Sequence, residues 1–432
     1  MKLFFRGMIM LVISVFMTGC FFSDGEQKIG ELPALPNVGS THDGNEQVIT
    51  DVYWDATYSM QGYTTVPQQN NYLSLPDNLE DIGTAMGEVN FFRFGEEIQP
   101  LEGRQHRQFM NSGFYNEVIT AIHKVVENAD EQHLSVVVTD LFESDADWSN
   151  IAKQIKGKYF DAHHSVAIIG IKSPFKGDIF DVGYSAGAKI FYDSGNDPVK
   201  YRPFYMLIMG PDYDVRMFIA KCKERLGTGE NVKYLLFSDK LVEQIPDLNT
   251  MNLDSTENLF SDSKLDIKDK RLVEFGVNDM DDEANLGVSF DFVPFDDVCR
   301  IDTGKLKSII HVNYLQDGNW VEETDPSKVD VSLEPIQDGT NSFAWSLKFM
   351  PRDLIPPDGV MLLEAFVTTD KNGLALPDWV REWNLDNQAS FEAGQFDGSK
   401  TINLVRLMSS LKDSSMITSI PSIANIFMVI KN

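Results

Sequence analysis

The residues of this chain that are best suited to chemistry stand at the end of an apolar run. Asp55, Thr57 and Ser59 occupy alternating positions directly after Val52-Tyr53-Trp54. A carboxylate and two hydroxyls that converge on one point offer the oxygen ligands that a hard divalent cation requires, and Mg²⁺ in particular takes few carboxylates and keeps some of its waters. The spacing therefore predicts one half of a divalent-cation site where a strand passes into a loop.

A second acid, Asp140, ends another apolar run, which begins at Leu134. Ligands of α/β sheets bind beyond the carboxyl ends of the strands, where neighbouring parallel strands meet at one edge. We therefore expect Asp140 to lie near Asp55 and to complete the cation site.

Together these motifs resemble the von Willebrand factor A (vWA) domain, whose metal-ion-dependent adhesion site carries Asp-x-Ser-x-Ser and a later strand-end Asp. Thr57 replaces the first Ser and keeps its oxygen, and Met60 matches the family's usual next residue. The resemblance implies Mg²⁺, with Mn²⁺ or Ca²⁺ as alternatives, and a fifth ligand on the loop before a helix. Counting back from Ala121-Ile122 places that ligand at Asn116, with Ser112 as the alternative.

The resemblance also implies a function. In the family, the metal keeps an open coordination position that a carboxylate of a partner protein fills, so we expect metal-dependent protein–protein interaction. The alternative is a structural component of an envelope assembly with a degenerate, non-functional metal site. Asn116 favours the alternative, because an amide differs from a hydroxyl in length and geometry.

From residue 48 to residue 237, short apolar runs alternate with helix-like segments. This alternation predicts an α/β domain in which a mostly parallel sheet has helices on both faces. The resemblance implies that this domain is of the vWA-like, Rossmann type. One predicted helix, Phe114–Ala129, repeats Val118, Ile122, Val125 and Val126 at helical spacing.

The rest of the chain changes character. Residues 238–270 are acidic and rich in Asn, Ser and Asp, which predicts a linker. From residue 271 to residue 432, short strand signals are separated by turn clusters such as Gln316-Asp-Gly-Asn319. This spacing predicts a smaller, β-sandwich-like domain.

The N-terminus carries the features of a secretory signal: Lys2 and Arg6 precede an apolar run too short to span a bilayer comfortably. The run ends in Met17-Thr18-Gly19-Cys20, which resembles a bacterial lipobox. We therefore expect a lipoprotein signal peptide over residues 1–19, a lipid on Cys20 and a disordered tether over 20–47. This predicts an extracytoplasmic protein anchored to the cell membrane or outer membrane. An uncleaved anchor or an ordinary secretory signal is the alternative.

Net charge and motif content limit the classes of function that we expect. The net charge of −28 argues against nucleic acid. The sequence contains no phosphate loop, His-Glu-x-x-His or Cys-x-x-Cys. Its Gly-x-Ser-x-Gly stretch, from Gly183 to Gly187, is interpreted as a small-residue loop, so we do not expect an enzyme.

Two further questions stay open at this level. Cys222 and Cys299 could pair outside the cytoplasm, but their spacing does not decide it. Asp145 and Asp147 follow Asp140 closely, and we expect one of them to cap the helix that starts near Trp148.

Overall fold

The computed structural model of the chain describes residues 47–67, 70–141, 148–180, 188–259, 266–268, 271–276, 279–316, 319–323, 326–337, 339–355, 360–386, 396–418 and 421–431. Cys20 with the predicted signal peptide, and Asp145 and Asp147, lie outside the described residues. Among the described residues, no helix is long and apolar enough to cross a membrane.

The described residues of the first part of the chain, up to Phe237, form nine strands and five α-helices. The strands are β1 Val48–Asp55, β2 Gly87–Phe94, β3 Ile98–Leu101, β4 Leu134–Thr139, β5 Ser165–Ser173, β6 Lys176–Phe180, β7 Lys189–Asp193, β8 Arg202–Gly210 and β9 Val232–Phe237. The helices are α1 Tyr58–Gln61, α2 Asn71–Met86, α3 Ile122–Asn128, α4 Trp148–Lys158 and α5 Asp212–Leu226. Alternation of helix and strand is therefore present as predicted.

Seven of these strands form one sheet in the order β3-β2-β1-β4-β8-β5-β9. Strands β1, β2 and β4 are parallel, whereas β8 runs antiparallel to both of its neighbours and β9 runs antiparallel to β5. Every residue of β4 and β8 is buried, which is why their sequences are continuous apolar runs.

Within the described sheet, the prediction of mostly parallel pairing is therefore correct for β1, β2 and β4. Strand β3 is antiparallel to β2. After β5 the chain forms the antiparallel hairpin β6–β7 and returns to the sheet at Arg202. Among the residues described between β5 and β8, the only helical element is the 3₁₀ turn Pro198–Lys200, and no α-helix carries the chain to the opposite edge, so β8 runs back antiparallel. Helix α5 then supplies the crossover, and β8 and β9 both run antiparallel to the β5 strand between them.

The second part of the chain is mainly β. Its strands are β10 Asn252–Glu257, β11 Asp266–Lys268, β12 Arg271–Gly276, β13 Ala284–Asp291, β14 Arg300–Ile301, β15 Lys307–Gln316, β16 Asn319–Glu323, β17 Val329–Pro335, β18 Ser342–Phe349, β19 Val360–Thr368, β20 Leu374–Ala375, β21 Asn384–Leu385, β22 Thr401–Ile402 and β23 Ser422–Lys431. Its helices are α6 Pro351–Leu354, α7 Asp378–Glu382 and α8 Leu404–Thr418.

Two sheets account for most of these strands. One has the order β10-β13-β18-β17 and is antiparallel, and the other has the order β11-β12-β23-β19-β15-β16 with a parallel β12–β23 pair. The indole of Trp345 on β18 donates a hydrogen bond to Ser308 on β15 at 3.1 Å, so the two sheets touch. Strand β10 lies inside the segment 238–270 that the sequence predicted as a linker.

The two parts share one connected hydrophobic core. Trp383 packs against Gly170 of β5, where an added Cβ would lie 2.8 Å from the indole. The hydroxyl groups of Tyr205 on β8 and Thr401 on β22 are 2.7 Å apart. Helix α8 packs against α4 and β9. The segment around α7 and α8 therefore packs directly on the seven-stranded sheet and its helices.

Cys222 and Cys299 are both buried free thiols, so the pairing that the sequence left open is not formed. Burial raises the pKa of both thiols, that of Cys299 to about 12. A raised pKa keeps a thiol protonated and unreactive.

The contact between Trp383 and β5 predicts a stability difference between two glycine variants. Gly170→Ala should lower the free energy of unfolding by about 1–3 kcal/mol, because its Cβ would overlap the Trp383 ring. Gly157→Ala is the control: it lies in α4 with nothing near its Cβ, and should stabilise by about 0.5–1 kcal/mol. Denaturant unfolding of the full chain measures both free energies. A Gly170→Ala variant with the same free energy of unfolding as the wild type would contradict the contact with Trp383.

Candidate metal centre

The structure brings the two predicted acids together at one edge of the seven-stranded sheet. Asp55 is the last residue of β1, and Asp140 follows the last residue of the adjacent strand β4. Asp55 is fully buried and Asp140 is 5 % exposed. Both carboxylates therefore sit where solvent screens their charge poorly.

Hydrogen bonds hold both oxygens of Asp55. Its Oδ1 accepts from the backbone N–H of Thr57 at 3.0 Å and from the Thr57 hydroxyl at 2.7 Å. Its Oδ2 accepts from the hydroxyl of Thr139, the last residue of β4, at 2.8 Å. Thr139 was not among the residues predicted from the sequence, although its hydroxyl stands directly before a strand-end Asp.

Three hydroxyl groups converge beside this carboxylate. The Thr57 hydroxyl oxygen lies 3.1 Å from that of Ser59 and 3.2 Å from that of Thr120. All three side chains are buried. Thr120, which was not among the residues predicted from the sequence, thus joins the predicted Thr57–Ser59 pair.

Backbone pairing of the loop at 116–121 explains the position of Thr120. Glu117 donates its N–H to the Ala56 carbonyl and accepts from the N–H of Tyr58, both at 3.1 Å. Ala121 donates to the carbonyl of Gly95 at 3.2 Å. The loop is thereby held against the end of β1, and the Thr120 side chain reaches Thr57.

The two residues predicted as the fifth ligand lie elsewhere. Asn116 is exposed, and its amide oxygen accepts a hydrogen bond from Arg93 at 2.7 Å. Ser112 is also exposed, at the start of a 3₁₀ turn over Ser112–Phe114, and its carbonyl accepts from Gln61.

The helix predicted from Phe114 is shorter than expected. A 3₁₀ turn ends at Phe114, and α3 begins only at Ile122. The prediction was wrong for the residues between them, because the backbone of Glu117 and Ala121 bonds to Ala56, Tyr58 and Gly95 instead of to a helical turn. Val118, which fits the apolar helical pattern, is 79 % exposed.

A buried arginine, Arg202, adds a positive charge near the carboxylates of Asp55 and Asp140. A guanidinium nitrogen of Arg202, at the start of β8, lies 3.9 Å from Asp140 Oδ2. The same guanidinium donates to the backbone carbonyls of Gly398 and Lys400 at 3.1 and 3.2 Å. These carbonyls come from the C-terminal part of the chain.

Burial and, to a smaller extent, the nearby charge of Asp140 raise the pKa of Asp55 to about 7, although the hydrogen bonds from Thr57 and Thr139 act to lower it. The guanidinium of Arg202 lies 3.9 Å from Asp140 Oδ2, farther than an ordinary hydrogen bond, and its single positive charge does not cancel two carboxylates. A proton or a cation at Asp55 would relieve the remaining repulsion.

The donor set fits a hard divalent cation. Every candidate ligand atom is an oxygen: the carboxylates of Asp55 and Asp140 and the hydroxyls of Thr57, Ser59 and Thr120. Bonds of about 2.0–2.1 Å in octahedral geometry place neighbouring ligand oxygens roughly 3 Å apart. The hydroxyl separations of 3.1 and 3.2 Å agree with that spacing.

No protein-family model and no curated protein matches this chain.

The raised pKa of Asp55 predicts how stability depends on pH in chelator-treated full chain. An unfolded Asp has a pKa of about 3.9, so between that value and about 7 the folded state binds more protons than the unfolded state. The free energy of unfolding should therefore fall as pH rises through this window, by up to about 1.4 kcal/mol per pH unit from this group.

Asp55→Asn removes the titrating group and keeps the shape of the side chain. Denaturant unfolding is measured from pH 4 to pH 8. The free energy of unfolding should fall less steeply with pH in this variant than in the wild type. Parallel curves for the two proteins would mean that Asp55 does not titrate in this range.

Proposed function

We propose that this chain binds a divalent cation at a vWA-like site and uses it to bind a partner protein. Mg²⁺ is the preferred ion, with Mn²⁺ or Ca²⁺ as alternatives. The observation that carries the proposal is the cluster of three hydroxyls beside two buried carboxylates at one sheet edge.

The proposed ligands are Asp55, Thr57, Ser59, Asp140 and Thr120. Thr120 takes the position predicted for Asn116, because its hydroxyl lies 3.2 Å from that of Thr57 whereas Asn116 is exposed and bonded to Arg93. The ion would supply the positive charge that the two carboxylates need. The antiparallel β8 is a departure from the mostly parallel sheet that the vWA resemblance implies.

Apolar side chains around the site support a protein as the partner. Tyr58, Val118 and Ile119 are 44, 79 and 36 % exposed. Tyr58 follows Thr57, and its N–H bonds to the carbonyl of Glu117 on the same loop as the other two. A partner protein whose carboxylate binds the metal would also pack against these apolar side chains. The proposed role is therefore binding rather than catalysis.

The lipobox-like segment supports attachment to a membrane through a lipid on Cys20. More than one acyl chain is needed for stable anchoring, and a multiply acylated cysteine meets that need. We propose that the site is displayed outside the cytoplasm on the cell membrane or outer membrane.

One observation favours the alternative, a structural component of an envelope assembly with a degenerate metal site. Arg202 is buried and places a permanent positive charge 3.9 Å from Asp140. With a proton on Asp55, this arginine would balance the site without any metal.

A thermal-shift titration with Mg²⁺ or Mn²⁺ distinguishes the two functions. A functional site should raise the melting temperature of the full chain, since an ion at 100 times its Kd contributes about 2.7 kcal/mol. Thr120→Val removes a ligand oxygen with little change of shape and should reduce the shift strongly. The matched control, Asn116→Ala, should keep it because Asn116 faces Arg93.

A wild type without any shift at millimolar metal would favour the degenerate site. A shift lost in Asn116→Ala but kept in Thr120→Val would restore Asn116 as the ligand.

Partner capture from the cell envelope tests the second half of the proposal. A partner should be retained with Mg²⁺ and released by chelator, and Val118→Ser should weaken its retention because Val118 is exposed beside the site. Val321→Ser, an exposed valine on β16, is the control. A partner that is retained equally with chelator would contradict a metal-bridged interaction.

A further inference from the structure

A second cluster of potential metal ligands lies between α2 and the 3₁₀ helix at Gln105–Met110. Asp77 and Glu80 stand three residues apart on α2, so they share one face of the helix. His106 comes from the 3₁₀ helix. One ligand atom from each residue lies within 4.8 Å of the others.

His106 is the unusual member of this cluster. Its side chain is 1 % exposed, and its ring stacks on Phe91 with centroids 4.4 Å apart. Within the described part of the chain, neither ring nitrogen has a hydrogen-bond partner. A buried polar group without a partner costs about 1–3 kcal/mol, so its presence calls for a reason.

The imidazole points at the acids. His106 Nε2 lies 3.4 Å from Glu80 Oε2, which is longer than an ordinary hydrogen bond. A tetrahedral zinc ion with bonds of about 2.0–2.1 Å places neighbouring ligand atoms roughly 3.3 Å apart. The distance of 3.4 Å between His106 Nε2 and Glu80 Oε2 therefore matches the spacing of two ligand atoms on a zinc ion.

The outer side of the cluster is open to water. The side chains of Glu80 and Asp77 are 34 and 52 % exposed. Arg107 contacts Asp77 at 3.3 Å, but it is 49 % exposed and free to turn into solvent when a cation arrives. The buried imidazole and the two accessible carboxylates leave a remaining coordination position for water.

We infer that Asp77, Glu80 and His106 bind a first-row transition metal ion such as Zn²⁺. An imidazole nitrogen selects zinc over Mg²⁺ and Ca²⁺, which prefer oxygen ligands alone. The ion joins α2 to the 3₁₀ helix that packs against it. This site is separate from the oxygen-only site at Asp55 and does not depend on the function proposed for that site.

Zn²⁺ titration of the chelator-treated full chain by calorimetry tests the site, with millimolar Mg²⁺ present to occupy oxygen-only positions. Wild type should bind Zn²⁺, and Glu80→Gln and Asp77→Asn should each weaken binding by about tenfold or more. Both side chains are partly exposed, so these variants should fold, and thermal melts check this.

Asp81→Asn is the matched control. Asp81 lies on the same helix and carries the same charge, but it contacts Arg225 at 3.1 Å. It should leave Zn²⁺ affinity unchanged, and so should Asp55→Asn. Co²⁺ in place of Zn²⁺ should give a visible ligand-field absorption that Glu80→Gln loses.

Three results would overturn the inference. The first is a wild type that does not bind Zn²⁺. The second is equal weakening by Asp81→Asn and Glu80→Gln, which would mean attraction to general negative charge. The third is loss of Zn²⁺ binding in Asp55→Asn, which would assign the ion to the other site.

Discussion

Electrostatic repulsion between two buried carboxylates governs the carboxyl edge of the seven-stranded sheet. The pairing of β1 with β4 brings Asp55 and Asp140 to adjacent strand ends, where little water screens their charges. A proton on Asp55, the guanidinium of Arg202 or a divalent cation can each relieve this repulsion. The hydroxyls of Thr57, Ser59 and Thr120 stand where a cation would need its remaining oxygen ligands.

The C-terminal part of the chain takes part in this arrangement. The carbonyls of Gly398 and Lys400 hold the guanidinium of Arg202, and the hydroxyl of Thr401 meets that of Tyr205 on the same strand. A change in the β-rich part can therefore reach the carboxylates through β8. The seven-stranded sheet packs against the segment that contains α7 and α8. Arg202 also connects them through its hydrogen bonds to the carbonyls of Gly398 and Lys400.

The two candidate metal sites differ in chemistry but share structural support. The site at Asp55 offers oxygen atoms alone, whereas the cluster on α2 adds a buried imidazole. The 3₁₀ helix that carries His106 also carries Phe109, whose ring stacks on Trp54 with centroids 4.3 Å apart. Trp54 directly precedes Asp55, so both clusters rest on the same aromatic core.

The sequence alone determined that apolar runs such as Leu134–Thr139 are buried strands and that Asp55 and Asp140 follow two of them, because both are properties of local hydrophobic continuity. It did not reveal the reversed direction of β8, the approach of Thr120 to Thr57, or the meeting of His106 with Glu80. Each of these depends on contacts between residues far apart in the chain. Only the tertiary structure decided them, since a loop's path is set by the distant backbone groups to which it bonds, as Glu117 bonds to Ala56 and Tyr58.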